Sequence, residues 1–473
     1  MKSDLAVFEG LEAGQRETYA RDLTLPERAA IGVTTLGGLV FVLCTIAPEF
    51  ARSLGWGGFL AVFGLTGAGA VAWITLTYRG TQPGIRHDGV FFEATKRRSA
   101  FTYVVTVLLC SLYCSLWWWR DYAPASLQHL DPLAGGIAIV DPLARVLTGG
   151  PADGWFFYGF LYTFAVAVMG VRMFWKYRHN RYHIARTISV IWWQAAFGFT
   201  VPGLLKMAGE KDFYFTYFWP LKPDYLLPWE VDHMITATSL GRAMVLWGAG
   251  MTFVAVPVLT YLYGKRWYCS WVCGCGALAE TFGDPWRQMS DKSERAWRFE
   301  RISIHSVLAL ITLITVGAWV HEALGRPWLS DGGSGLFWKW YGFFIVAGFA
   351  GVVGTGFYPV LGSRVWCRYG CPQAAILGIL QRFLSRFRIT TNGGQCISCG
   401  NCSTFCEMGI DVRAYAQRGE NIVRASCVGC GVCAAVCPRG VLKLENGAYS
   451  DRFDGADEPL AEVLRAIGVR SRS

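Results

Sequence analysis

Apolar runs of about 20 residues recur along the chain, separated by polar stretches that carry most of the charge. Eight runs read as membrane-spanning helices: 29–47, 56–78, 100–119, 155–175, 188–207, 243–263, 302–324 and 336–360. Gln194 and Pro202 interrupt the fifth, which is the least regular. Residues 1–28 are polar and mixed in charge, with no short apolar core or cleavage site, and read as a tail rather than a leader. After Phe387 the apolar pattern stops, and 388–445 are polar, Gly-rich and dense in Cys. The pattern therefore predicts a polytopic α-helical membrane protein. It divides into a tail (1–28), a six-span region (29–263), two further spans (264–387), a soluble Cys-rich domain (388–445) and a polar end (446–473).

Composition agrees. Of the 473 residues, 53% are hydrophobic and 16% charged, against about 25% charged in a soluble globular chain. The mean hydropathy is +0.31, which excludes a mainly disordered chain as well. The net charge of +10 comes largely from basic loops at 79–99, 176–186 and 264–301. The loops between them are poorer in Lys and Arg. The positive-inside rule puts both termini and the basic loops on the cytoplasmic side of a bacterial cytoplasmic membrane. On this reading His179 and His183 are solvated loop charges. No nucleic-acid-binding motif accompanies the charge, so nucleic acid is not an expected partner.

Sixteen Cys change the picture. Cys396, Cys399, Cys402 and Cys406 form C-x2-C-x2-C-x3-C. Cys427, Cys430, Cys433 and Cys437 repeat it 31 residues later, followed by Pro438. This is the bacterial dicluster pattern, in which the fourth Cys of each run crosses to the other cluster. Cys396, Cys399, Cys402 and Cys437 are then expected to hold one [4Fe–4S] cluster, and Cys427, Cys430, Cys433 and Cys406 the second. Zinc also favours C-x2-C pairs, but two complete four-Cys runs of this spacing argue for clusters. The soluble domain is accordingly predicted to be an α+β dicluster ferredoxin-like fold. Glu407 stands where Pro usually follows the fourth Cys.

The exits of the sixth and eighth spans also match. Gly264, Arg266, Cys269 and Cys273 recur at an offset of 98 as Gly362, Arg364, Cys367 and Cys371. An i, i+4 spacing puts both sulfurs of a pair on one helical face. Two such pairs at one membrane depth are candidates for a four-thiolate site. A third [4Fe–4S] cluster, a copper ion, redox-active thiols and inert packing all remain open. Cys275 has no counterpart in the second motif and is an alternative ligand. Cys44, Cys110 and Cys114 lie within the first and third spans, where Cys also packs as a small apolar residue. His305 and His321 bracket the seventh span.

Several spans with two C-x3-C motifs and a terminal dicluster domain resemble the membrane-bound polyferredoxins of the NapH/NosR/FixG (CcoG, RdxA) type. The resemblance rests on the motifs at 266–273 and 366–372, the eight tail Cys and the stretch 409–413, and covers roughly 240–445. It implies electron transfer at the membrane with quinone or a partner redox subunit. It also implies a rival role in copper reduction for the assembly of a respiratory enzyme; a redox sensor is a third possibility. Cys273-Gly in place of Cys-Pro departs from the family pattern. Asp and Glu are nearly absent from the spans, which ion-coupled transport does not predict.

Overall fold

The computed structural model describes residues 23–80, 83–84, 100–119, 124, 126, 131–210, 212–325, 340–392 and 395–446. Most of the predicted tail 1–28, and all but the first residue of 446–473, lie outside these. Seven described helices are long and apolar enough to cross a membrane: Leu25–Ile46, Pro48–Arg79, Thr102–Trp119, Gly154–Lys176, Arg181–Met207, Ser239–Tyr263 and Glu294–Ala323. They match the first seven predicted spans. The eighth is met by Gly342–Gly356, 15 residues in π-helical geometry, while 336–339 fall outside the described residues. The chain is a multi-span helical protein that continues into a Cys-rich domain.

Two compact units make up the chain, one from Met1–Ile191 with Phe199–Asp212, the other from Trp192–Gly198 with Phe213–Ser473. In the first unit, Leu25–Ile46 starts four residues before the apolar run because Thr24 and Glu27 form a capping box. Glu27 is buried and also accepts from Thr77 Oγ1 at 3.3 Å, tying this helix to Leu65–Arg79. The two helices pack through small residues. A Cβ on Gly37 would strike Thr66, and one on Gly69 would strike Thr34 and the Ala30 carbonyl. Such glycines let membrane helices approach closely. Gly69→Leu is therefore expected to destabilise this unit by about 1–3 kcal/mol through overpacking. Thermal unfolding in detergent would read this as a lower Tm, and an unchanged Tm would refute the close crossing.

The sequence pattern missed a helix. Ala134–Thr148 lies in the predicted loop after the third span. It buries Ala138, Ile139 and Val140 against Cys44, Val62, Phe63 and Phe157. Gly135 and Gly136 face the Cys44 carbonyl and the Phe157 ring with no room for a Cβ. His179 is exposed as expected, but the reading of His183 as a solvated charge is corrected: His183 is buried, as are Lys176 and Arg186 in the same stretch. The helices run almost to the turn, and aromatic faces receive the polar groups. Lys176 Nζ lies 5.1 Å over the Tyr177 ring, and Tyr177 stacks on His183 at 4.3 Å.

In the second unit, Phe387–Thr391 pairs antiparallel with Leu442–Asn446 in the register Phe387↔Asn446 to Thr391↔Leu442. This ribbon closes the Cys-rich domain at its two ends. Between the strands, the short helices Asn401–Thr404 and Val432–Ala435 repeat at the 31-residue offset. Each starts after a glycine in the left-handed region, Gly400 at φ 80° and Gly431 at φ 76°. A side chain there would be strained, which explains the glycine after the second Cys of each run.

Candidate metal centres

None of the sixteen Cys, all among the described residues, forms a disulfide. The eight tail Cys gather around two cavities. Cys396, Cys399, Cys402 and Cys437 line one. Cys406, Cys427, Cys430 and Cys433 line the other. These are the two crossed sets that the spacing rule predicts. Electrostatics groups them likewise. Burial, opposed by the Ser403 N–H and reinforced by Cys399 and Cys437, pushes the Cys402 thiol up to about 11. Burial and then Cys430 push Cys406 up to about 12. Backbone N–H groups also reach the sulfurs, as Ile410 N does to Cys406 Sγ at 3.4 Å. Cys399 is exposed, whereas Cys402, Cys427 and Cys433 are buried. The two cavities thus differ in access to solvent.

The C-x3-C pairs do not sit on continuous helices, contrary to the i, i+4 reading. Trp267–Trp271 and Val365–Tyr369 each end two residues before the second Cys of the pair. Cys273 and Cys371 are instead extended N-caps of the next helices, Gly274–Glu280 and Pro372–Leu384. Pro372 disfavours a helical Cys371. In both repeats the break has the same bonds. Val272 and Cys273 N–H groups share the Tyr268 carbonyl, and Gly370 and Cys371 share that of Trp366. The gain is a sulfur at a helix start. Cys273 accepts from the Gly276 N–H and Cys371 from that of Ala374, so amide dipoles favour thiolate charge.

The two repeats grip each other. Arg266 Nη1 donates to the Cys367 carbonyl at 2.8 Å, and Arg364 Nη1 to the Cys269 carbonyl at 3.1 Å. This reciprocal exchange gathers Cys269, Cys273, Cys367 and Cys371, all at most 4% exposed. Burial first, then Cys367, Cys273 and Cys371, push the Cys269 thiol well up. Burial also raises Cys367 and Cys371, against the pull of the arginines. Cys273 alone is lowered, to about 7, chiefly by a hydrogen bond from the Cys275 thiol. Cys275 therefore stands beside the quartet as a donor to one of its members. Four buried thiols that repel one another's ionisation are a donor set that a cationic iron–sulfur centre would satisfy.

The motifs also hold the Cys-rich domain. Arg266 Nε donates to Ala425 O at 2.9 Å, Lys265 Nζ to Ile422 O at 2.8 Å and Ser270 Oγ to Val428 O at 2.8 Å. From the second motif, Arg364 reaches Glu407 Oε1 at 3.3 Å and Arg368 bonds the Glu300 carboxylate at 2.8 Å. These buried arginines and carboxylates escaped the sequence reading as functional groups. The one signal for them was the Arg conserved between the two repeats at the 98-residue offset.

The remaining candidates stay apart. Cys44 is buried in the apolar cluster of the first unit, and Cys110 and Cys114 share one helix as their spacing requires. His305 is exposed, with Nδ1 2.6 Å from the Arg301 carbonyl. Among the described residues, no three His, Cys, Asp or Glu close on a single-ion site.

Comparison with known proteins agrees with this division. A family model described as "4Fe-4S binding domain" matches residues 246–297 and 341–390, which takes in both C-x3-C repeats. A "4Fe-4S dicluster domain" matches 388–438. YccM of Escherichia coli (strain K12), named as an electron transport protein, is 27% identical over 182 residues, 36% of this chain and 50% of that protein. The methylamine utilization ferredoxin-type protein MauN of Methylobacillus flagellatus is 26% identical over 155 residues, 32% of this chain and 52% of its own. The chain thus spans about half the length of the curated relatives it matches. No solved structure matches. The chain is thus similar to iron–sulfur proteins over its second half and carries apolar helices long enough to cross a membrane.

Proposed function

We propose that this chain is a membrane-bound iron–sulfur electron-transfer protein. Cys396, Cys399, Cys402 and Cys437 would hold one [4Fe–4S] cluster, and Cys406, Cys427, Cys430 and Cys433 a second. Cys269, Cys273, Cys367 and Cys371 would hold a third. A [4Fe–4S] cluster supplies reversible storage of one electron at a potential tuned by charge, hydrogen bonds and exposure. The observation that carries the reading is the reciprocal arginine clasp, which gathers four thiols and docks them on the Cys-rich domain.

The contacts support an order. Both motifs bond to segments carrying the second set, at Val428 and at Glu407. The first set includes the exposed Cys399 and would form the end open to a soluble partner. The quartet follows the spans that end at Tyr263 and Gly356, and would form the end near the bilayer. A hydrocarbon core of about 30 Å is too wide for one efficient hop, so quinone or a partner redox subunit would carry electrons further. The basic loops support a cytoplasmic position for all three centres. Around the centres, the amides at Gly276, Ala374 and Ile410 hold sulfur charge, and Arg266 and Arg364 offset it. Burial of the quartet excludes water.

Iron, acid-labile sulfide and electron paramagnetic resonance of anaerobically purified protein test this. About twelve iron and twelve sulfide per chain are expected, with interacting signals after dithionite reduction. Roughly eight of each would leave the quartet without a cluster, and stoichiometric copper without added sulfide would make it a copper site. Absence of [4Fe–4S] signals would overturn the proposal.

A further inference from the structure

Glu407 follows the fourth Cys of its run, where the second run has Pro438. It is 1% exposed, a rare setting for a carboxylate unless it is paired. Its two oxygens reach different arginines. Oε1 lies 3.3 Å from Arg364 Nη2, and Oε2 lies 3.4 Å from Arg287 Nη2. Each arginine touches a different thiol set. Arg364 lies 3.9 Å from Cys367 Sγ in the quartet and bonds the Cys269 carbonyl. Arg287 Nη1 lies 4.0 Å from Cys430 Sγ in the second tail set. Both arginines have a second carboxylate partner: Glu280 lies 2.5 Å from the same Arg364 Nη2, and Asp284 lies 3.1 Å from Arg287 Nε. Ser290 Oγ fixes the Glu407 carbonyl at 2.6 Å. All five charged side chains are at most 4% exposed.

We infer that Glu407 is a positioning residue that fixes one guanidinium at each of two neighbouring redox centres and so sets their potentials together. The inference rests on the proposed cluster-bearing function. Glu407 borders the cavity of the second set beside Cys406, and it reaches Cys430 through Arg287 and the quartet through Arg364. A carboxylate in this dry setting interacts far more strongly than one in water. Its negative charge disfavours adding an electron nearby, and the arginines favour it. Three carboxylates against two arginines leave the group one charge negative when all are ionised. Proline at this position would supply neither the bridge nor the charge. The two arginines reach Cys367 and Cys430, which belong to two of the three sets, so Glu407 should act chiefly on those two centres.

The test is a redox titration of the full chain in detergent, followed by electron paramagnetic resonance, for wild type and Glu407→Gln. Loss of the charge should raise the potentials of the quartet and of the Cys430 centre. About a tenfold change in the reduced to oxidised ratio at fixed potential is expected, equivalent to about 59 mV for a one-electron couple. The Cys399 centre should move much less. Unchanged potentials with all clusters loaded, or an equal shift of all three, would overturn the inference. If Glu407→Gln does not load iron, Glu407→Asp replaces it. This variant keeps the charge but shortens the reach, so selective movement of the same two signals supports the inference and three unmoved signals refute it. Failure of the functional proposal is separable, because it appears in the wild-type titration as missing [4Fe–4S] signals.

Discussion

A Cys437→Ser chain is expected to lose the cluster of the first run while keeping that of its own. Cys437 follows Cys433 by four residues, yet lines the cavity of Cys396, Cys399 and Cys402. Linear assignment would give it to Cys427, Cys430 and Cys433. The partner variant, Cys406→Ser, should spare Cys396, Cys399 and Cys402 and empty the Cys430 site. Each change should remove roughly four iron and four sulfide per chain. The two losses should differ in kind. Cys399 is exposed, whereas removing Cys406 disturbs a centre against the membrane motifs. Iron counting combined with paramagnetic resonance separates the two. If Cys437→Ser abolished the signal of the second run and left the first intact, crossed ligation would be wrong.

Arg364→Leu is expected to be the most damaging single change among the buried arginines. It removes the cation that Glu280 and Glu407 share, both at most 4% exposed, and leaves Glu407 with Arg287. Breaking a buried pair from one side costs about 3–5 kcal/mol, a large part of a typical total stability of about 5–15 kcal/mol. It also frees the Cys269 carbonyl, so the quartet should load less metal. Arg364→Lys should recover only part of this, since one ammonium does not reproduce the planar fork. Arg298→Ala is the control. Its pair with Glu294 is about two-thirds exposed on both sides and should contribute at most about 1 kcal/mol. Thermal unfolding and iron content measure both effects. Equal losses from Arg364→Leu and Arg298→Ala would show that the buried clasp carries no special load.

Sequence alone revealed the membrane spans and the ferredoxin cradles for one reason: both are local periodicities. An apolar run long enough to cross a bilayer is visible within its own 20 residues, and so is C-x2-C-x2-C-x3-C. The Ala134–Thr148 helix stayed hidden because Pro142 interrupts its pattern and its partners, such as Phe157, lie on another helix. The break inside each C-x3-C was hidden for a related reason. A four-residue spacing fits a helical turn, and only the capping geometry of Cys273 and Cys371 shows that the chain leaves the helix there. The burial of His183 reverses a reading made from its place in a basic loop, since tertiary packing decides whether such a residue meets water. Glu407 was visible as a departure from Pro, but its meaning lay in Arg287 and Arg364, 120 and 43 residues away. Pairings at such separations leave no periodic trace in a single sequence.

The exchange between Arg266 and Arg364 bears on how this architecture arose. Each repeat supplies the arginine that the other's Cys carbonyl accepts. Contacts in which one residue meets a second, and the counterpart of the second meets the counterpart of the first, define the isologous interface of a two-fold dimer. Here that interface is written into one polypeptide, with the Glu294–Ala323 helix lying between the halves in sequence. Neither half is complete alone, but two identical halves would have completed each other. The internal pair has the form of a homodimer fused by duplication. Within one chain the halves can differ, so one carries Cys275 and the other Pro372 without either residue being imposed on its twin.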